Sequence, residues 1–238
     1  MKVTRFLAAM LFLCAAASTS HAQSVSLTWD TCVGPIQKAV APGTIAQANI
    51  SVLGQTSTHK AYDVRILMGS PGGLRDAWRF DAPGCQGSGF IELQHLPPAA
   101  ISKVCPAFMQ TSAPSLQIKD FSFDALSGKA RGVIANSYPN GVVSVSAATR
   151  YFLGGFKFDE TFGVNGPSDP GLTCGGLEVP VCAHLINGAW LDLDGIEYQW
   201  TVASEYILSN DPNNASNCPA ATPAQPKTWG SLKSQYRN

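Results

Sequence analysis

The sequence predicts an all-β fold, an antiparallel β-sandwich, and three observations carry that expectation. Apolar residues alternate at period two in many short runs, the spacing that puts every second side chain on one face of a strand. No window holds a sustained apolar stripe at helical spacing. The runs are separated by clusters drawn from the 22 Gly and 16 Pro of the 238-residue chain, residues that form turns because one tolerates positive φ and the other fixes φ. Charged side chains make up only 13% of the chain, against about 25% in ordinary domains. Sixteen basic residues balance sixteen acidic ones. Without a basic excess there is no footprint for neutralising phosphates, which argues against nucleic-acid binding.

The N-terminus reads as a processing segment. Lys2 and Arg5 precede an apolar run from Phe6 to Ala17, followed by Ser20-His21-Ala22, the pattern of a secretory signal peptide cut before Gln23. That run is shorter than the roughly 20 apolar residues of a membrane-spanning helix, and no second one follows, so no transmembrane segment is expected. A lipoprotein anchored at Cys14 is the weaker reading, because Leu13 rather than a small residue precedes it. Four parts result: a signal peptide at 1–22, one immunoglobulin-like or cohesin-like sandwich domain at 23–209, a linker at 210–226 and a short amphipathic tail at 227–238. The linker is rich in Asn, Pro, Ala and Thr and buries too little apolar surface to fold alone. The tail spaces Trp229, Leu232 and Tyr236 at i, i+3 and i+7 between basic residues. Losing Lys2 and Arg5 with the signal leaves 14 basic against 16 acidic side chains.

Within the domain, Tyr62, Val64, Ile66 and Met68 alternate with Asp63 and Arg65 and read as a half-buried strand. Trp78 with Phe80 and Ile91 with Leu93 read as shorter ones, separated by Ser70-Pro71-Gly72-Gly73 and Pro83-Gly84. A first meander is expected from residues 116–125, 129–137 and 142–150, joined by Ser127-Gly128 and Tyr138-Pro139-Asn140-Gly141. Apolar parity slips from Leu116 and Ile118 to Phe121 and Phe123, which predicts a β-bulge at Lys119-Asp120.

A second meander is expected around Asn187-Gly188 and Asp194-Gly195, both favoured two-residue turns. Such turns would pair Ile186 with Ala189, His184 with Leu191 and Cys182 with Leu193. They would then pair Leu193 with Ile196, Leu191 with Tyr198 and Ala189 with Trp200. These side chains would share the packed face, leaving Trp190, Asp192, Glu197, Gln199 and Thr201 outward.

Six cysteines follow the signal: Cys32, Cys85, Cys105, Cys174, Cys182 and Cys218. An even count behind a signal peptide reads as a disulfide framework, with fifteen possible pairings. The expected pairs are Cys174 with Cys182, Cys85 with Cys105, and Cys32 with Cys218. A metal site is the poorer reading, since no C-x-x-C occurs.

Signatures of catalysis and cofactor binding are missing: there is no G-x-S-x-G, H-E-x-x-H, phosphate-cradling loop or G-x-G-x-x-G. No cofactor, metal or catalytic residue is therefore assigned. His184 is placed among apolar side chains as a hydrogen-bonded core histidine, with a base or ligand as the sharper alternative. Asp192-Leu193-Asp194-Gly195 reads as a strand end and turn rather than a calcium loop. Asp159-Glu160 reads as a solvated strand end. Trp78, Trp190 and Trp200 are the candidates for a sugar platform, with only Trp190 outward. Asn49 and Asn214 sit in N-x-S glycosylation acceptors.

Three stretches carry a resemblance: Thr28-Trp29-Asp30-Thr31-Cys32, Cys174 to Cys182 (CGGLEVPVC), and Thr228 to Arg237 (TWGSLKSQYR). In that order they resemble uncharacterised secreted bacterial β-sandwich proteins, a resemblance that implies no activity or site. The strand pattern also resembles cohesin-like and other immunoglobulin-like sandwiches in architecture, which licenses no function. The function expected is a secreted or periplasmic, non-catalytic sandwich that binds, displays or assembles at the cell envelope, on a protein or glycan ligand. Trp229, Leu232 and Tyr236 would serve as a docking or sorting tail. The alternative is an extracellular hydrolase acting on polysaccharide or ester, using His184 or the Asp159/Glu160 pair.

Overall fold

A computed structural model of the protein describes residues 24–53, 58–79, 84–88, 91–108, 116–137, 143–144, 146, 148–161, 174–204 and 206–210. The signal segment, Phe80, Cys218 and the tail residues Trp229, Leu232 and Tyr236 lie outside them. In chain order the strands are β1 Ser24–Trp29, β2 Gln37–Lys38, β3 Ile45–Leu53, β4 Thr58–Gly69, β5 Ile91–Gln94 and β6 Leu116–Asp124. They continue with β7 Lys129–Ser137, β8 Val143–Ser144, β9 Arg150–Asp159, β10 Val181–Asp192, β11 Glu197–Gln199, β12 Thr201–Ser204 and β13 Tyr206–Ser209.

The strands form two sheets, one ordered β12-β1-β3-β9-β5 and the other β2-β13-β10-β4-β7-β6, with β11 on β10 and β8 on β4. Pairing is antiparallel except where β1 meets β12 and β13 meets β2. Tyr62, Val64, Ile66 and Met68 are all buried, as their alternation predicts. They face Leu27, Ile50, Leu153, Phe156 and Phe158 of the opposite sheet in one shared core. The Tyr62 hydroxyl donates across that core to Leu153 O at 2.5 Å. A smaller cluster of Cys32, Ile101, Cys105 and Phe152 stands apart from it.

Several local expectations fail. β6 pairs β7 in unbroken register from Leu116 opposite Ser137 to Asp124 opposite Lys129, so there is no bulge at Lys119-Asp120. The tight turn sets that register: Gly128 N donates to Asp124 O at 2.9 Å, with Gly128 at φ 63°. Among the described residues of the expected strand at 142–150, Val143 and Ser144 form β8, which pairs with Thr58 and His59, and Arg150 opens β9. The next strand, β9, then belongs to the other sheet. Trp78 sits in a 3-10 turn, Asp76–Trp78, rather than a strand.

The disulfides differ as well. Cys32 bonds Cys105, with Cα atoms 6.3 Å apart, and Cys85 bonds Cys174 at 5.6 Å. Cys182 is also disulfide-bonded. The expected pairs of Cys174 with Cys182, Cys85 with Cys105 and Cys32 with Cys218 are thereby replaced. Proximity in sequence was the wrong guide, because topology decides which loops meet: the bonded cysteines are 73 and 89 residues apart. Asn49 is fully buried in β3, so it is no surface acceptor for a glycan.

Candidate functional site

β10 runs straight through Asn187-Gly188, which is a bulge in a strand and not a hairpin turn. β4 pairs with it from Gly69 opposite Cys182 to His59 opposite Asp192, and the register shifts between Leu185 and Asn187. One extra residue reverses parity. Val181, Ala183 and Leu185 face the core before it, and Trp190 does so after it. Glycine is required at 188, since a Cβ there would lie 2.8 Å from Trp200 Cε3 and 3.0 Å from Val64 Cγ1. The pairs expected from a turn here, Ile186 with Ala189, His184 with Leu191 and Cys182 with Leu193, do not form. A second shift, at Leu191/Asp192, leaves Lys60 of β4 unpaired in the ladder. It turns His59 inward, fully buried, to stack on Phe108 at 4.1 Å.

Asp194-Gly195 does make a turn, but one residue longer than expected. Ala189 pairs Gln199, Trp190 pairs Tyr198 and Leu191 pairs Glu197. Asp192 N donates to Ile196 O at 3.0 Å, and Gly195 N to Asp192 O at 3.3 Å, with Gly195 at φ 85°. That is a three-residue loop closed by a left-handed glycine. The single-residue slip gives every β11 side chain other β10 neighbours than predicted, so that Tyr198 shares the face of Trp190 instead of that of Leu191. Leu193 and Ile196, expected in the core, are 44% and 52% exposed, and Tyr198 is 41% exposed. Trp190, expected outward, is buried under Tyr198, their rings stacked at 4.4 Å. Trp200 is buried as expected.

The hairpin tip thus presents three apolar side chains among the carboxylates of Asp192, Asp194 and Glu197. Asp192 Oδ1 accepts from Ile196 N at 2.8 Å and fixes the turn. Lys60 Nζ, donating to Leu193 O at 3.2 Å, supplies a positive charge at the base. Partial desolvation, then Asp192 and Asp194, push the Tyr198 hydroxyl above the usual phenol range. Beside the hairpin, Asp63 is nearly buried and pairs Arg65 at 2.8 Å. Burial raises its carboxyl against the pull of Arg65.

The other predicted residues scatter. His184 is half-buried, on the face away from the core residues Ala183 and Leu185, with Leu67 and Tyr206 as its register neighbours. It is not the core histidine expected, and neither register neighbour is a carboxylate or a serine. Glu160 is fully buried rather than solvated, and accepts from Gln86 Nε2 at 2.9 Å. Trp78, Trp190 and Trp200 are all buried, so they form no open platform for a sugar. Among the described residues no cluster of three His, Cys, Asp or Glu side chains is arranged to hold a metal. No helix among them is long and apolar enough to cross a membrane.

A groove of about 640 Å³, missed in the sequence, is lined by Lys38, Val40, Pro42, Leu177, Glu178 and Asn210. Asn210 holds it together, accepting from Val40 N at 2.8 Å and donating to Val40 O and Leu177 O. The hint the sequence carries is the asparagine itself, a residue that tolerates the left-handed φ of 53° found at position 210 better than most.

Neither a protein-family model nor a curated protein matches the chain. Among solved structures it is similar to the second type II cohesin module of the adaptor scaffoldin of Acetivibrio cellulolyticus, at 11% identity and TM-score 0.42, covering 85% of this chain and 97% of that one. It is similar to a cohesin module of a family 33 glycoside hydrolase of Clostridium perfringens, at 9% identity and TM-score 0.36, covering 80% and 98%. It is also similar to a non-cellulosomal cohesin of Archaeoglobus fulgidus, at 11% and 0.33, covering 78% and 89%.

Proposed function

We propose that this chain is a secreted, non-catalytic β-sandwich that binds a protein partner at or beyond the cell envelope, with the β10–β11 hairpin tip as its contact surface. The observation that carries this reading is the exposure of Leu193, Ile196 and Tyr198 on one short, well-fixed hairpin ringed by carboxylates. An apolar centre with a charged rim, and Tyr in particular, is the composition of a non-obligate protein interface. The partner it fits offers apolar side chains flanked by Lys or Arg, to meet Asp194 and Glu197. A glycan is the less suitable ligand for this surface, because the indoles among the described residues, Trp29, Trp78, Trp190 and Trp200, are all buried. Disulfides suit an oxidising compartment and agree with export. The tail bearing Trp229, Leu232 and Tyr236 serves as a second docking or sorting element.

Two changes test this in the native host. Ile196→Asp is expected to leave the protein folded and to lower partner retention about tenfold or more, the loss typical of a central interface residue. Retention equal to wild type would remove the hairpin from the reading. Deleting residues 227–238 is expected to change location or partners, and no change in either would remove the tail.

A further inference from the structure

The end of β9 holds a buried carboxyl that neither the fold nor the proposed surface uses. Glu160 and Gln86 are both fully buried. Gln86 Nε2 donates to Glu160 Oε1 at 2.9 Å and to Ala77 O at 2.9 Å, which uses both amide hydrogens. Two buried oxygens remain, Glu160 Oε2 and Gln86 Oε1, and neither has a hydrogen-bond partner. An ionised carboxylate leaves both as orphaned acceptors, because it has no donor to give. A neutral carboxylic acid resolves both at once. Its hydroxyl supplies the missing donor, and an acid and a primary amide each offer one donor and one acceptor along one edge.

We propose that Glu160 is protonated in the folded protein and donates from Oε2 to Gln86 Oε1, closing a two-bond acid–amide latch between residues 84–88 and the end of β9. Loss of that proton opens the latch. Both sides are held by backbone, so the side chains meet instead of turning to water. Glu160 N donates to Thr44 O and Gly43 N to Glu160 O, each at 2.8 Å, while Gln86 N donates to Arg79 O at 3.0 Å. The neighbouring Cys85–Cys174 bond keeps the segment in reach.

The charged surroundings favour the acid. Burial, with the charge of Asp159 next to it, pushes Glu160 up to about 8, and the bond from Gln86 opposes this only in part. On the 3-10 turn packed beside it, Asp76 and Arg79 pair with each other at 3.2 Å. Residues 41–44 and 85–88 carry no ionisable side chain besides the bonded Cys85. The linkage has a definite sign: the folded state keeps a proton that the unfolded state has lost, so stability falls as pH rises from the ordinary carboxylate range to about 8. Between those limits one proton leaves on opening, so the open population grows by up to about tenfold per pH unit, and above about 8, where the closed state has lost its proton too, it levels off.

The test is a carboxyl carbon NMR titration of the full mature chain from pH 4 to 10, with hydrogen exchange at Gln86 corrected for its intrinsic pH dependence. The expected result is a Glu160 carboxyl that titrates near 8, and exchange that rises by up to about tenfold per unit between about pH 5 and 8 and is level above that. Glu160→Gln keeps a two-bond amide pair and is expected to stay flat throughout. A carboxyl titrating in the ordinary range, or the same rise in Glu160→Gln, would overturn the proposal. Should that variant not fold, the wild-type titration decides alone.

Discussion

At the end of the sandwich where Phe158 packs edge-on to Trp29 and Trp78, polar groups are buried. At the end where His59 stacks on Phe108 and meets the edge of Trp190, apolar groups are exposed. The first end encloses Trp78, Gln86 and Glu160 completely and staples them with Cys85–Cys174. The second projects Leu193, Ile196 and Tyr198. Both arrangements cost stability, in one case by desolvating a carboxyl and in the other by leaving apolar surface in water. The difference lies in what each can gain. A buried acid gains from an internal partner, whereas an exposed apolar tip gains only when something outside covers it.

That contrast predicts a gradient of mutational effects. Trp78→Ala, at the closed end, removes a fully buried indole and is expected to cost about 3–5 kcal/mol in urea unfolding, the usual loss for a large aromatic. A loss under 1 kcal/mol would show that this end is not the rigid one. Between the ends, Gly188→Ala forces a Cβ onto the Trp200 ring and is expected to cost about 1–3 kcal/mol by overpacking. An unchanged midpoint would mean that β10 does not run through residue 188 as a bulge. Ile196→Asp, at the open end, is expected to stay within about 0.5 kcal/mol of wild type, so that any loss of binding reads as loss of contact.

Much of this was legible in the sequence where one strand faces one core. The run Tyr62-Val64-Ile66-Met68 gave its burial through period two alone, and Ser127-Gly128 gave its turn. The signal fails where a distant strand decides. Asn187-Gly188 is a favoured turn dipeptide, yet β4 is as long as β10, twelve residues each. Pairing along that length outweighs one local turn preference. The bulge then reverses parity, and Trp190 goes in. Asp194-Gly195 was read correctly as a turn, but its extra loop residue shifted β11 by one against β10 and placed Leu193 in the loop, so the Leu193–Ile196 pair expected in the core does not form. Glu160 was expected in solvent because nothing near it in sequence announces Gln86, 74 residues away.

The central claim is that the hairpin tip is covered by a partner, and site-specific photo-crosslinking in the native host tests it most directly. A photoreactive residue placed at Tyr198 is compared with one at Leu126, a fully exposed apolar residue on the β6–β7 turn. The account predicts one discrete protein adduct from position 198 and none from position 126. Equal adducts from both positions, or none from 198, would contradict it.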